Sequence, residues 1–352
     1  MGQKKNITFS DIAKYTNFSK TTISRYFNNP DSLTLENQEI ISNALTALNY
    51  KENKVARILA NGRSEFVGIL IPNLFHDYYS KLLTQILSTY EEFGYKFLVF
   101  IGNEDEESER RYINELLAYK IEGLIILSHT IPSSELAKLQ IPIVAIERED
   151  QFICSVNTDN YMGGVQAASL LASHNCDILI HINSPTDPQR PAYGRIQGFI
   201  DYCTEKNLNH KVLYKDFRDN YSQLRQALSE ILKELDEISD GKKKGIFTSS
   251  DTTANALLNL LIQKYGTLPD DYLIIGFDNS PVSEQAVIPI STVGQQTDTI
   301  AYEAVSLLVQ QMTERKKRKP VPLKEPVHKI IAPVLIRRET TEKQNHFVRT
   351  DS

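Results

Sequence analysis

From residue 65 onward, the sequence alternates short, uninterrupted apolar runs with longer segments of helical periodicity. The apolar runs are predicted strands, at 66–71, 95–101, 123–127, 143–146, 177–182, 245–248 and 272–276. Between them lie predicted helices at 79–93, 107–119, 160–174, 194–206, 221–235 and 252–265. Apolar strands that alternate with helices are typical of parallel α/β sheets, which bind ligands at the carboxyl ends of their strands.

Length and composition narrow the possible classes of protein. The 352 residues, 41% of them apolar and 24% charged, predict two or three globular domains. No apolar run approaches the roughly 18 residues of a membrane span, and no apolar signal segment opens the chain, which predicts a cytoplasmic protein. The three cysteines are widely spaced, and the seven histidines do not pair at metal-binding spacing. Because P-loop, dinucleotide-binding and nucleophile-elbow motifs are also missing, the sequence predicts no enzyme, no cofactor and no metal.

The N-terminal segment has the spacing of a helix-turn-helix. Helical periodicity predicts helices at 9–15 and 20–27, and a third helix capped by Thr34. Asn17 ends the first helix, because asparagine tolerates the left-handed backbone of a tight turn. Ser19 is the expected N-cap of the second helix. The alternative is a three-helix bundle with a solvated polar face.

The second helix carries side chains that suit the major groove of DNA. Arg25 can donate a bidentate pair to guanine, and short or flexible donors precede it in the helix. Other polar side chains of the segment can bind phosphates and set the register. The predicted DNA contacts are Thr8, Ser19, Lys20, Thr21, Thr22, Ser24, Arg25, Asn28 and Tyr50. Up to residue 63 the chain has nine basic and five acidic residues, whereas the remainder has 30 basic and 39 acidic residues. Only the N-terminal segment is therefore positively charged, which favours phosphate contact through this segment alone.

The runs 8–13 and 18–28 resemble the headpiece of the lactose-repressor (LacI/GalR) family, and the runs 48–50 and 53–60 resemble that family's hinge. The similarity extends to about Arg338. Asn17 and Glu52 depart from the family, which usually has Gly and often has Pro at these positions. The resemblance implies a DNA-binding headpiece at 6–52 and a hinge at 53–63.

Asn53 is a candidate N-cap for a hinge helix that is too short to be stable alone. We expect it to order on DNA beside a symmetry mate, with Asn53, Ala56 and Leu59 as contacts. The resemblance implies that Leu59 wedges between base pairs of the minor groove, as minor-groove proteins do. The alternative is a leucine packed on the sensor domain.

The resemblance implies a sensor domain of periplasmic-binding-protein type at 64–340, with an effector in the cleft between two subdomains. The chain would cross three times between a first subdomain, 64–160 with 293–322, and a second, 161–292 with 323–340. Residues 341–352 would be a disordered tail.

Effector contacts follow from matching the family's positions one by one. They are Tyr78, Tyr79, Ser128, Glu147, Arg148, Arg195, Phe217, Ser250, Asp278 and Gln295. An arginine and a carboxylate can bind vicinal hydroxyls, and an aromatic ring can cover a sugar. The alternatives are that Arg195 forms an interdomain salt bridge, that Phe217 is core, and that Asp159 and Asp251 are helix caps. Arg148, Arg190 and Arg195 together suggest an acidic effector, such as a sugar acid or a sugar phosphate.

The resulting hypothesis is a homodimeric regulator, a repressor of carbohydrate-utilisation genes, that binds a palindromic operator and is controlled by a carbohydrate-like effector. Its expected location is the cytoplasm, at the nucleoid. A variant hypothesis is a catabolite-control regulator that is activated by a phosphorylated carrier protein. A hypothesis of a different class is a sugar-binding protein without gene control.

Overall fold

The computed structural model describes residues 7–51, 64–148, 151–217, 220–238 and 241–342. Its contacts divide the chain into two units, one up to residue 63 and one from residue 64. The predicted hinge, with Asn53, Ala56 and Leu59, lies outside the described residues, as does 343–352 of the predicted tail. In the described part of the chain, no helix has the length and apolarity needed to cross a membrane.

The N-terminal unit contains the three predicted helices, α1 (Phe9–Thr16), α2 (Lys20–Asn28) and α3 (Leu35–Ala47). A single 3-10 turn precedes the third. One apolar residue or pair from each helix is buried in a common core, consisting of Ile12, Ala13, Ile23 and Ile41. Partly buried aromatic rings pack against this core.

Asn17 occupies the left-handed region, with φ 61° and ψ 21°, at the turn between α1 and α2. Ser19 then caps α2 by accepting a hydrogen bond from Thr22 N at 3.1 Å. The departure from glycine therefore leaves the tight turn intact, because asparagine reaches this conformation at low cost.

We expect Asn17→Ala to destabilise the N-terminal unit by about 1 kcal/mol, because alanine pays the steric cost of the left-handed region. Asn17→Gly should be tolerated. Amide hydrogen exchange in 9–28 of the full chain measures the effect. Asn43→Ala, at an exposed position within α3, is the control and should slow exchange or leave it unchanged. Equal protection in Asn17→Ala and the wild type would contradict this account of the turn.

The second unit contains two six-stranded sheets. In spatial order, the first sheet contains β11 (His328–Ile331), β5 (Cys154–Thr158), β4 (Ile143–Ile146), β3 (Gly123–Ile126), β1 (Phe66–Ile71) and β2 (Lys96–Ile101). The second contains β12 (Val334–Ile336), β10 (Ser291–Gly294), β9 (Tyr272–Asp278), β8 (Lys244–Thr248), β6 (Ile178–Asn183) and β7 (His210–Tyr214). Neighbouring strands are parallel except for β10 and β12.

Helices cover both faces of each sheet and leave the carboxyl ends of the strands open. They are α4 (Asp77–Ser88), α5 (Tyr90–Phe93), α6 (Glu106–Ala118), α7 (Ser133–Leu136), α8 (Asn160–Ser173), α9 (Tyr193–Glu205), α10 (Tyr221–Ile238), α11 (Asp251–Tyr265), α12 (Pro281–Gln285) and α13 (Thr297–Arg315). The predicted fold class, a helical headpiece with two parallel-sheet subdomains, is confirmed.

The chain passes between the sheets three times, after β5, after β10 and after β11. The third passage corrects the predicted boundary, because 323–340 is not all in the second subdomain. His328–Ile331 pairs with β5 of the first sheet, and only Val334–Ile336 joins the second. The predicted tail also begins too early. Thr340 and Thr341 are buried, and the Thr340 hydroxyl donates to Ile274 O at 2.7 Å.

Two glycines allow α8 and α9 to touch along their backbones. A Cβ atom on Gly164 would lie 2.2 Å from Arg195 O, and one on Gly198 would lie 2.1 Å from Tyr161 O. Because the contact is with backbone atoms, no side-chain rotation can relieve it. This close packing fixes the first turn of α9, where Arg195 lies.

We expect Gly164→Ala to lower the free energy of unfolding by about 2 kcal/mol, because overpacking against backbone outweighs the gain in helix propensity. Urea unfolding of the full chain measures it. Met162→Ala is the control in the same helix, because Met162 is 44% exposed and the substitution adds no atom to the contact with α9. A Gly164→Ala protein as stable as the wild type would refute the close approach.

Candidate functional site

A cavity of about 250 Å³ opens at the carboxyl ends of both sheets. Loops that follow β1 to β4 line one wall, and loops that follow β6 to β10 line the other. Eight of the ten predicted effector contacts line it: Tyr78, Tyr79, Glu147, Arg195, Phe217, Ser250, Asp278 and Gln295. The rule that parallel sheets bind ligands at this edge thus gives the correct location for the cavity.

Hydrogen bonds cross the cavity floor from the second sheet to the first. Gln295 Nε2 donates to Asp278 Oδ1 at 2.7 Å, and the Thr158 hydroxyl donates to Gln295 Oε1. Thr158 N then donates to Glu147 Oε1 at 2.7 Å. Thr158 and Gln295 lie at the first two passages of the chain between the sheets, so this chain of bonds links the cavity to the passages.

Arg195 is held by two acceptors, one at the start of α8 and one in the loop after β8. Its Nε donates to Asn160 Oδ1 at 2.7 Å, and its Nη1 donates to Ser249 O at 2.8 Å. The guanidinium also lies 3.7 Å from the centroid of the Phe277 ring. These partners are an amide, a carbonyl and a ring. Because none of them is a carboxylate, the alternative of an interdomain salt bridge is not supported among the described residues.

Asp278 has an uncommon environment for a carboxylate. The residue is 5% exposed, and its backbone φ of 109° lies in a region that residues other than glycine rarely occupy. Burial raises its pKa above the ordinary range, while the nearby Arg195 charge opposes that shift. Backbone strain of this kind persists where surrounding bonds over-determine a site.

Asp251, predicted as a helix cap, has a different role. Ser250 caps α11 by accepting from Thr253 N at 3.2 Å. Asp251 accepts instead from Ser280 N at 2.7 Å and from the Thr292 hydroxyl at 2.6 Å, which joins α11 to the ends of β9 and β10. Burial and the neighbouring Asp278 charge raise the pKa of Asp251.

The other predicted cap is confirmed, because Asp159 accepts from Met162 N at 2.9 Å at the start of α8. Phe217 is a core residue that also lines the cavity, and its contact with an effector stays a prediction. It is 8% exposed and packs in the core of the second subdomain, and it also contributes to the cavity wall.

The structure places Ser128 and Arg148 behind the cavity wall, which corrects their prediction as effector contacts. The Ser128 hydroxyl donates to the buried Glu109 carboxylate. The Arg148 guanidinium donates to the carbonyl groups of Ser128 and Ile131. Both side chains hold the loop after β3 in place, and that loop presents its intervening residues to the cavity.

Sequence reasoning missed several cavity residues that lie beside those it named. They are Pro72, His76, Glu104, His129, Thr130, Ser184, Thr186, Ala192, Ser249 and Thr253. Most of them follow a predicted strand within a few residues, so their position in the sequence was the available signal. Arg190, which sequence analysis names for its charge, lines the cavity as well. Within the described ranges, no group of three or more His, Cys, Asp or Glu side chains could hold a metal ion.

The N-terminal unit presents an exposed basic face. Of the predicted DNA contacts, the exposed ones are Thr8, Ser19, Lys20, Thr21, Arg25 and Asn28, and the partly buried ones are Thr22, Ser24 and Tyr50. Ser19 also caps α2, and Tyr50 packs on Phe9 and Phe27. Among the described residues, neither Lys20 nor Arg25 has an ion-pair partner.

Comparisons with known proteins place this architecture among gene regulators. Residues 168–341 match the model of the periplasmic binding protein-like domain. The ribose operon repressor of Halalkalibacterium halodurans is 29% identical over 310 residues, which cover 88% of this chain and 91% of the relative. The sucrose operon repressor of Streptococcus mutans is 29% identical over 307 residues, with 86% and 92% covered. Catabolite control protein A of Priestia megaterium is 26% identical over 317 residues, with 88% and 93% covered.

Two solved structures share the fold. The Lac repressor dimer bound to operator and the anti-inducer ONPF has a TM-score of 0.77 at 20% identity, over 96% of this chain and 99% of that chain. The complex of the transcriptional regulator CelR with cellobiose has a TM-score of 0.67 at 22% identity, over 95% and 100%. Together with the sequence relatives and the headpiece motif, they lead to one conclusion: over most of its length the chain is similar in sequence to operon repressors, and it shares the fold of the Lac repressor.

Proposed function

We propose that this chain is a sequence-specific DNA-binding regulator, a repressor of carbohydrate-utilisation genes, whose operator affinity is set by a carbohydrate-like effector in the cavity. The chain of bonds through Asp278, Gln295, Thr158 and Glu147 is the observation that carries the proposal. It connects the groups that face a ligand to the segments on which the two subdomains would turn.

The relatives support a carbohydrate as the effector. Those with the highest identities here are named for the ribose and sucrose operons, and one structural neighbour is a cellobiose complex. The cavity of this chain offers matching chemistry, because Asp278 and Glu147 can accept from hydroxyls and Phe217 can cover an apolar sugar face.

The proposed mechanism is a shift between two orientations of the subdomains. A ligand hydroxyl that bonds Asp278 competes with Gln295 and therefore acts on the second passage. The third passage is coupled as well, because Gln296 Nε2 donates to Ala332 O at 2.7 Å. A ligand that favours one orientation would change the spacing of the two hinges in a homodimer on a palindromic operator. The contacts of Asn53, Ala56 and Leu59 belong to this proposal as predictions.

The test begins with operator fragments that the full chain enriches from a random DNA pool. We expect a palindromic consensus, with an affinity that changes at least about tenfold when an effector sugar is added. Ribose, sucrose and cellobiose are the first candidates. Failure to enrich any sequence would overturn the proposal and favour a sugar-binding protein without gene control.

A second candidate is regulation by a phosphorylated carrier protein, as the similarity to catabolite control protein A suggests. In that case, a phosphorylated carrier would raise operator affinity, and its unphosphorylated form would not. Retention of the phosphorylated carrier on the immobilised full chain would support this candidate, and equal retention of both forms would reject it.

A further inference from the structure

In one region of the cavity wall, a cationic and a neutral nitrogen group have no hydrogen-bond partner among the described residues. Arg190 lies in the loop between β6 and α9 and lines the cavity. Its backbone N donates to Asp187 O at 2.9 Å, but its guanidinium makes no hydrogen bond or ion pair with any other residue in the described ranges. Arg148 and Arg195, by contrast, donate to protein oxygens.

His129, on the loop after β3, lines the same cavity as this arginine. Within the part of the chain that the structure describes, neither of its ring nitrogens has a hydrogen-bond partner. Burial, Arg190 and Arg148 together lower the pKa of His129 to about 3, so the ring is neutral at physiological pH. The charge of Arg190 therefore acts on this part of the wall, and a neutral imidazole lines the same cavity.

The rest of the wall suits hydroxyl groups. Glu147 already accepts from Thr158 N and from Asn160 Nδ2, and Asp278 accepts from Gln295. The Tyr78 hydroxyl, in the same region, is buried with no hydrogen-bond partner among the described residues. Tyr78, Glu147 and Asp278 line the same cavity, and burial first, then these two charges, raise the pKa of Tyr78.

We propose that the effector is a polyhydroxylated anion, a sugar acid or a sugar phosphate, with its anionic group bound by Arg190 and His129 and its hydroxyls bound by Tyr78 and Asp278. This inference rests on the proposed function and narrows the class of effector. A neutral sugar would leave Arg190 without a counter-charge, and a cationic ligand would be repelled by it. The earlier expectation of an acidic effector included Arg148, which the structure places behind the wall.

Matched ligand series test this on the full chain by isothermal titration calorimetry. One series is ribose, ribonate and ribose 5-phosphate, and the other is glucose, gluconate and glucose 6-phosphate. We expect an anionic member to bind at least about tenfold more tightly than its neutral parent, as charge-assisted hydrogen bonds imply. The preferred member distinguishes a carboxylate from a phosphate. Neutral parents that bind as tightly as their anions would overturn the inference, and so would a panel in which nothing binds.

Arg190→Gln should remove the preference for the anion and leave the affinity of the neutral parent within about twofold. Arg225→Gln is the matched control, because Arg225 is exposed on α10 outside the cavity lining, and it should keep the preference. A preference that survives in Arg190→Gln would contradict the assigned site. The proposed function fails in a different way, namely when an anion binds with the expected preference but operator affinity does not respond.

Discussion

Replacement of Asp278 by asparagine is expected to abolish the effector response while operator affinity without effector stays within about threefold of the wild type. The carboxylate faces Arg195 and accepts from Gln295 at 2.7 Å. Asparagine can still accept from Gln295 through its own Oδ1, but it loses the charge that strengthens a bond to a ligand hydroxyl. A loss of about 10- to 100-fold in effector affinity follows from removal of one charge-assisted bond in a buried site.

Asparagine is chosen because of the backbone at this position. With φ 109°, alanine would add strain to the loss of the side chain, whereas asparagine tolerates positive φ better. Calorimetry gives effector affinity, and a gel shift gives operator affinity. Asp298→Asn, an exposed position in the first turn of α13, is the control and should respond as the wild type does. If Asp278→Asn keeps the full response, the bonded chain across the cavity floor is not the coupling element.

The strands that sequence analysis identified are those with apolar residues on both faces. β5 was missed, although every residue of Cys154–Thr158 is buried. Its polar side chains form bonds that only the tertiary structure provides, such as the bond of 2.8 Å between Ser155 Oγ and His328 Nδ1 and the bond from Arg148 N to Asn157 Oδ1 at 3.0 Å. β11 and β12 are short and partly exposed, so no apolar run marks them. The missed β11 also caused the error in the subdomain boundary.

Eight of the ten predicted effector contacts line one cavity, but the direction of single side chains was predicted less well. Position along the chain places both Ser128 and His129 after β3, but it does not say which of them faces the cavity. In the structure Ser128 bonds the buried Glu109, and the next residue lines the cavity. The direction is decided by a carboxylate on α6, about twenty residues away in the sequence. Because this contact depends on tertiary packing, no local sequence pattern predicts it.

The second large effect concerns the headpiece. We expect Arg25→Ala to reduce discrimination at one operator base pair by about 1–3 kcal/mol, because a bidentate arginine reads guanine in the major groove. Arg25 is exposed on α2 and has no ion-pair partner among the described residues, while the helix is held by the buried Ile23. The substitution should therefore change recognition without unfolding the unit.

The measurement is competition between the enriched operator and its single-base variants, at fixed salt because phosphate contacts depend on ionic strength. Lys14→Ala is the matched control, since Lys14 is an exposed basic residue in the last turn of α1, outside the recognition helix. Lys14→Ala should leave the discrimination between operator bases unchanged. Any loss of affinity should be the same factor for all sequences. Arg25→Ala should instead flatten the preference at one position in each half-site of the palindrome. An equal loss of affinity for all sequences would indicate that Arg25 contacts a phosphate. An unchanged base preference would show that α2 is not the recognition helix.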